Sequence, residues 1–127
     1  KLTKMPPYLI FNIKRFSKNK FTFEKNTALV HFPSKNLDMS PYLYQAGKTN
    51  SRFSKYDLIA VIIHDGPPNG GSYRASIRHT ASATWFDIQN LELKSTQPQL
   101  VCLSEAHILI YQRQAERSKV SSNSDVL

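Results

Sequence analysis

The 127-residue sequence predicts an α+β fold built mainly from antiparallel strands. Three observations carry this. Short runs rich in aromatic and β-branched residues alternate with a period of two. Clusters of Gly, Pro, Asn and Asp separate the runs at hairpin distances. No βαβ rhythm and no internal repeat interrupts them, and the helical segments are short.

In chain order, Pro6-Pro7 marks where the first strand begins, because proline cannot donate to a ladder. Tyr8 to Phe16 is the expected strand, with Leu9, Phe11 and Ile13 on one parity and Asn12 and Lys14 on the other. Ser17 to Lys20 is a polar turn, and Phe21 and Phe23 then alternate with Thr22 and Glu24. Lys25-Asn26 turns the chain into Thr27 to Phe32, the expected hairpin partner, which Pro33 ends. Leu37 to Tyr44 is expected as a short helical turn capped by Asp38 or Ser40. Gln45 to Lys55 is polar and expected as a loop. Asp57 to His64 is almost continuously apolar, the pattern of a central strand covered on both faces. Asp65 to Gly71 is dense in turn formers. The clearest alternation comes next, with Tyr73, Ala75 and Ile77 expected inward and Arg74, Ser76 and Arg78 toward solvent or a cleft. Thr84 to Ile88 is a strand, Pro98 to Ala106 a short helix and His107 to Arg113 a final strand. From Gln114 the chain is polar and aperiodic, so the expected organisation is one folded unit over 1–113 and a disordered tail over 114–127.

Composition narrows the functional classes. No apolar run approaches the roughly 20 residues of a membrane helix, and no membrane partner is expected. The chain shows no charged-then-apolar leader at its start, lacks an initiator Met and begins mid-pattern, as a piece of a longer chain would. The single cysteine, Cys102, sits in an apolar run and is expected as a buried small hydrophobe. The net charge of +8 favours a polyanion or an acidic protein surface as partner.

Several features bear on chemistry. Gly70-Gly71 does not make a phosphate loop, since a strand succeeds it and no Gly-Lys-Ser/Thr element is present. His31, His64, His79 and His107 lack metal-type spacing and are expected to be hydrogen-bonded structural residues, with His79 tending inward; no cofactor is expected in this segment. Lys14, Arg15, Lys18, Lys20 and Lys25 cluster among Phe16, Phe21 and Phe23, a composition that suits RNA or an acidic partner. A solvated hairpin edge guarded by lysines has the same composition.

Over residues 1–113 a series of segments resembles, in order, the C-terminal part of the ubiquitin-specific protease domain. They are Pro6-Pro7-Tyr8-Leu9-Ile10-Phe11 with Lys14-Arg15-Phe16, Phe32-Pro33 with Leu37-Asp38, Tyr56 to His64 with Gly66, then Gly71, Tyr73 and Ala75, Trp85, and Ala106 to Arg113. The resemblance implies a papain-like cysteine-protease fold. This segment would be the antiparallel palm, and the helical thumb and nucleophilic cysteine would lie in a region outside it. In active members the catalytic histidine sits in a Gly-His-Tyr triplet, where this chain has Gly71-Ser72-Tyr73. The carboxylate or carboxamide partner falls at Gln89, with Asn90 adjacent.

A thiol with a pKa of about 8.5 needs an imidazole to take its proton at neutral pH. A serine hydroxyl does not accept that proton. His79 is seven residues along the strand, about 23 Å from Ser72, and on the opposite parity. The resemblance therefore implies a chain that does not hydrolyse ubiquitin. The Gly-Ser-Tyr triplet, the glutamine and Leu103-Ser104-Glu105-Ala106 are most similar to an inactive branch of the family. That branch works in the nucleus, in pre-mRNA splicing, with tri-snRNP proteins as partners. It carries zinc in a separate N-terminal finger domain. The family implies two other functions: an inactive ubiquitin reader, which the positive charge fits poorly, and an active thiol hydrolase.

Overall fold

The computed structural model of the chain describes residues 1–44 and 53–115. The expected loop over Gln45 to Lys55 therefore lies mostly outside the described residues, as does the tail from Glu116 onward. Gln114, which sequence patterning places in the tail, is tied to the fold: its amide side chain donates to Asn36 Oδ1 at 2.7 Å and Asp57 Oδ1 at 2.9 Å.

Among the described residues, seven strands form one antiparallel sheet. They are β1 (Tyr8–Asn12), β4 (Leu37–Asp38), β5 (Lys55–Asp65), β6 (Ser72–Arg78), β7 (Trp85–Gln89), β8 (Glu92–Thr96) and β9 (Ala106–Arg113). The order is β1-β9-β5-β6-β7-β8, and β4 pairs with the start of β5. A separate hairpin joins β2 (Phe16–Lys18) to β3 (Phe23–Lys25). The helical elements include a 3₁₀ turn at Ser40–Tyr42 and the short α1 at Pro98–Cys102.

The central position of β5 is as expected, but burial on both faces is not. Tyr56, Leu58, Val61 and Ile63 are fully buried, a spacing that changes parity between Leu58 and Val61. The β5–β9 register slips there, leaving Ile59 as the extra residue, and slips again so that His107 is extra on β9. Each bulge reverses the parity of the residues beyond it. The large buried hydrophobic side chains of both strands consequently face one side, with Ala106, Leu109 and Tyr111 opposite them. Met39, Trp85 and Val101 complete that core, and Leu2, Met5, Leu9, Phe11, Ile13, Phe32 and Leu37 pack against it.

Cross-strand partners share a face, so the other side of the sheet can be read from the register. One row runs Ile10, Ile110, Ala60, Ile77, Phe86, and the next runs Ile108, Ile62, Ala75, Ile88, Leu93. This aliphatic face is open, with Ile10 69% and Leu93 62% exposed. The alternation of β6 is therefore inverted relative to expectation. Tyr73 and Ile77 lie on the open face, and Ser76 is fully buried on the core side. The inversion has a physical reason: Ser76 and Arg74 find partners in Asp87 on β7 and Asp65 on β5, so the core side accepts them.

Three further expectations change. Thr27 to Phe32 forms no strand. The hairpin closes earlier, around Asn19 to Thr22, and the carbonyls of Asn26 and Ala28 are taken by the Arg15 guanidinium instead of a ladder. Ser17 and Lys18 are accordingly strand, not turn. Leu37 to Tyr44 splits into β4 and the 3₁₀ turn, which Asp38 holds by accepting from Ser40 N at 2.9 Å. β8 has no counterpart in the sequence patterning, because its turn has no glycine: Asn90 and Leu91 both take positive φ, 50° and 66°.

The loop between β5 and β6 depends on glycine. Gly71 has φ +82°, and a Cβ there would come 2.2 Å from the Asp65 carbonyl oxygen and 3.1 Å from the His64 ring. Both contacts are with groups that are held in place, since Asp65 is in the ladder and the His64 ring is buried.

This architecture has three measurable consequences. Gly71→Ala should destabilise the chain by more than about 2 kcal/mol in urea unfolding, from the left-handed conformation plus the clash. Leu91→Gly should stabilise it by up to about 1 kcal/mol, because leucine in the left-handed region costs roughly 1–2 kcal/mol and is fully exposed here. Light scattering of the isolated chain should show self-association that the double substitution Ile10→Lys and Ile77→Lys suppresses, since that open face exposes Ile10, Ile77 and Leu93 on one side of the sheet.

Candidate functional site

The two residues that the family resemblance assigns to catalytic positions, Ser72 and Gln89, come together in space. They lie on different strands and share the core-side parity, near the end of the sheet where the β5–β6 loop emerges. Gln89 Nε2 donates to Ser72 Oγ at 3.2 Å. Asn90 is the first residue of the adjoining β7–β8 turn and, with Gln89, Arg74, Asp87, Glu92 and Lys94, lines an open cleft of about 430 Å³.

Beneath this pair runs a polar chain that sequence patterning misses. Arg74 Nε donates to Asp65 Oδ2 at 2.7 Å, and Arg74 Nη1 reaches Asp87 Oδ2 at 3.5 Å. Ser76 Oγ donates to the other oxygen of Asp87. Asp65, Arg74 and Asp87 sit on three neighbouring strands at alternating positions, so aligning the two hairpins by their turns would have revealed the charge ladder.

On the opposite side of the loop, aromatic rings pack edge to face. His64 lies 5.0 Å from Phe16 and 4.9 Å from Tyr73, and Phe16 lies 5.2 Å from His107, centroid to centroid. His64 Nε2 is 3.0 Å from the Gly70 carbonyl, which can only accept, so the ring hydrogen sits on Nε2. Its Nδ1 is buried without a partner. The imidazole thus closes the loop and does not engage Ser72. His107 Nδ1 lies 3.3 Å from the Ile13 carbonyl. His79 falls just past β6, exposed and 2.9 Å from Ser82 Oγ, contrary to the inward expectation. His31 is exposed as well.

The site therefore offers a hydroxyl and a carboxamide that bond each other, and two carboxylates committed to one guanidinium. None of these takes a proton from a thiol at neutral pH. Cys102 is half-buried at the end of α1, and burial pushes its thiol up, away from the thiolate.

The basic cluster divides in two. Arg15 is 2% exposed, with Nε donating to the Ala106 carbonyl at 2.6 Å and Nη1 to those of Asn26 and Ala28. The Lys25 side chain is 4% exposed and donates to the His64 carbonyl at 2.7 Å while pairing with Glu105 at 2.7 Å. Both are structural cations, spent on carbonyls at the base of the hairpin. Lys14, Lys18 and Lys20 remain exposed.

Known proteins share this framework. The profile of the family described as ubiquitin carboxyl-terminal hydrolase matches residues 1–111. Human "Ubiquitin carboxyl-terminal hydrolase 39" is 47% identical over 112 residues, which cover 88% of this chain and 20% of that protein. "Probable mRNA-splicing protein ubp10" of Schizosaccharomyces pombe is 35% identical over 114 residues, covering 85% of this chain and 23% of that protein. The chain thus spans about a fifth of the length of these curated relatives. Among solved structures, a chain of the Ubp8-Sgf11-Sgf73-Sus1 SAGA DUB module superposes with a TM-score of 0.75 at 25% identity, covering 89% of this chain and 25% of that one. A chain of the same module bound to ubiquitin aldehyde gives 0.76 at 24% identity, covering 89% and 26%. The antiparallel sheet described above is that of the papain-like hydrolases, and the chain belongs to the ubiquitin carboxyl-terminal hydrolase family.

Proposed function

We propose that the protein carrying this chain is a non-catalytic member of its family, a scaffold for pre-mRNA splicing in the nucleus that supports tri-snRNP assembly or maintenance. The observation that carries this reading is the hydrogen bond between Gln89 and Ser72 at the positions where active members need an imidazole and its orienting partner. A thiol facing this pair would keep its proton, and removal of the base alone costs a triad enzyme several orders of magnitude in rate. The scaffold around the pair is intact: Gly71 closes the loop, Trp85 is buried and the sheet register is continuous from β6 to β8. Retention of the frame without the proton-transfer group suits a surface kept for binding. The similarity to a fission-yeast protein named for mRNA splicing supports the same direction.

On this reading residues 1–113 act as the palm of the family's domain and contribute no metal. The same reading proposes a zinc-finger domain for a part of the protein outside these residues.

A second reading, an inactive ubiquitin reader, is favoured by one feature. Tyr73 stands 58% exposed beside Ser72, its ring held by His64 and His107, as an open aromatic shelf.

The intact protein should cleave no ubiquitin conjugate above a protein-free control, and Ser72→Ala with Gln89→Ala should leave its recovery with tri-snRNP proteins from nuclear extract unchanged. Turnover that disappears when a cysteine of the intact protein is substituted would sink the scaffold reading. Recovery of ubiquitin conjugates without splicing components, abolished by Tyr73→Ala, would favour the reader instead.

A further inference from the structure

The β2–β3 hairpin presents side chains that the fold does not use. Its base is fixed by the two buried cations: Arg15 grips the carbonyls of Ala106, Asn26 and Ala28, and Lys25 grips those of His64 and Gly66. Phe16 is held against the rings of His64 and His107. The tip is also ordered. Asn19 Oδ1 accepts from Phe21 N at 3.0 Å, Thr22 N at 2.8 Å and Thr22 Oγ1 at 2.9 Å, and Asn19 N donates to the Thr22 carbonyl at 3.1 Å. On this rigid support Phe21 is 93% exposed and Phe23 about half exposed, with the Lys18 ammonium 5.0 Å from the centre of the Phe23 ring. Lys20 is exposed in the turn between the two strands, and Lys14 is exposed just before the hairpin begins.

We propose that this hairpin binds single-stranded RNA, with Phe21 and Phe23 as stacking platforms for bases and Lys14, Lys18 and Lys20 as partners for phosphates.

Two comparisons favour this occupant. Lysines that merely guard a hairpin edge explain the charge but not a phenylalanine held out into water on an ordered turn. A protein partner would select against this composition, because interface cores enrich aromatics and deplete lysine. Exposed aromatic faces interleaved with lysines are instead the pairing that tracks a charged backbone with unstacked bases. The one acidic residue of the hairpin, Glu24, pairs across the strands with Ser17, on the parity opposite Lys18 and Phe23. Duplex RNA is the poorer ligand, because its bases are already stacked. The inference does not depend on the scaffold reading, and its test uses neither ubiquitin nor splicing particles.

The test is fluorescence anisotropy of the intact protein with a labelled oligouridylate, with duplex RNA and polyglutamate as competitors. Phe21→Ala with Phe23→Ala should weaken binding by about tenfold or more and leave the salt dependence unchanged. Lys14→Gln with Lys18→Gln and Lys20→Gln should lower the slope of log affinity against log salt by about 2, near 0.7 for each single-strand phosphate no longer neutralised. Phe21→Ala alone should weaken binding in the same direction without altering the thermal melt, since that ring stands almost wholly in solvent. Affinity unchanged in both multiple variants overturns the proposal. Displacement of the RNA by polyglutamate together with indifference to the phenylalanines also overturns it and makes the hairpin a patch for an acidic protein.

Discussion

Everything in this chain is arranged around the paired slips between β5 and β9. Ile59 is extra on one strand and His107 on the other. Without them, a regular ladder would send Tyr56 and Leu58 to one face and Val61 and Ile63 to the other. With them, all four point to the side where Met39, Val101 and Trp85 wait, and a single-layer sheet acquires one well-filled core. The second slip also turns His107 toward Phe16 and Tyr73, so the bulge that completes the core helps build the aromatic cluster beside the site.

The same one-sidedness explains how a charged network is accommodated. Asp65, Arg74, Asp87 and Ser76 occupy the core-side parity of three adjacent strands and satisfy one another. These ionic groups are only partly buried, with the Arg74 side chain 25% exposed, Asp87 31% and Asp65 44%, so water and their mutual pairing share the solvation of the charges. Arg15 and Lys25 have backbone carbonyls as partners. Together these charged anchors hold the β5–β6 loop, the hairpin base and the β6–β7 pair in register. The Ser72–Gln89 contact is thus held by the frame.

The cost appears on the opposite face. Two rows of apolar residues cross the sheet, with Ile10, Ile77 and Leu93 exposed among them. The sequence hints at this in a misleading way. Continuous apolar character in β5 reads as burial on both sides, yet Ala60 and Ile62 remain partly exposed. Likewise the apolar parity of β6 reads as inward, and it lies on the open face.

The sequence alone determined those features that depend on local chemistry. They are the antiparallel class, the position of β5, the loop over Asp65 to Gly71 and the start of the first strand after Pro6-Pro7. Turn propensity, period-two patterning and motif order are properties of neighbouring residues. Tertiary structure decided the features that depend on partners distant in the chain. A bulge is set by the strand opposite it, so the parity of β5 was not legible from its own residues. Which polar parity is buried in β6 depends on Asp65 and Asp87, and whether a cation is structural or free depends on carbonyls up to 91 residues away, as for Arg15 and Ala106. The β7–β8 turn escaped because Leu91 occupies a conformation that its side chain disfavours and that strand pairing imposes.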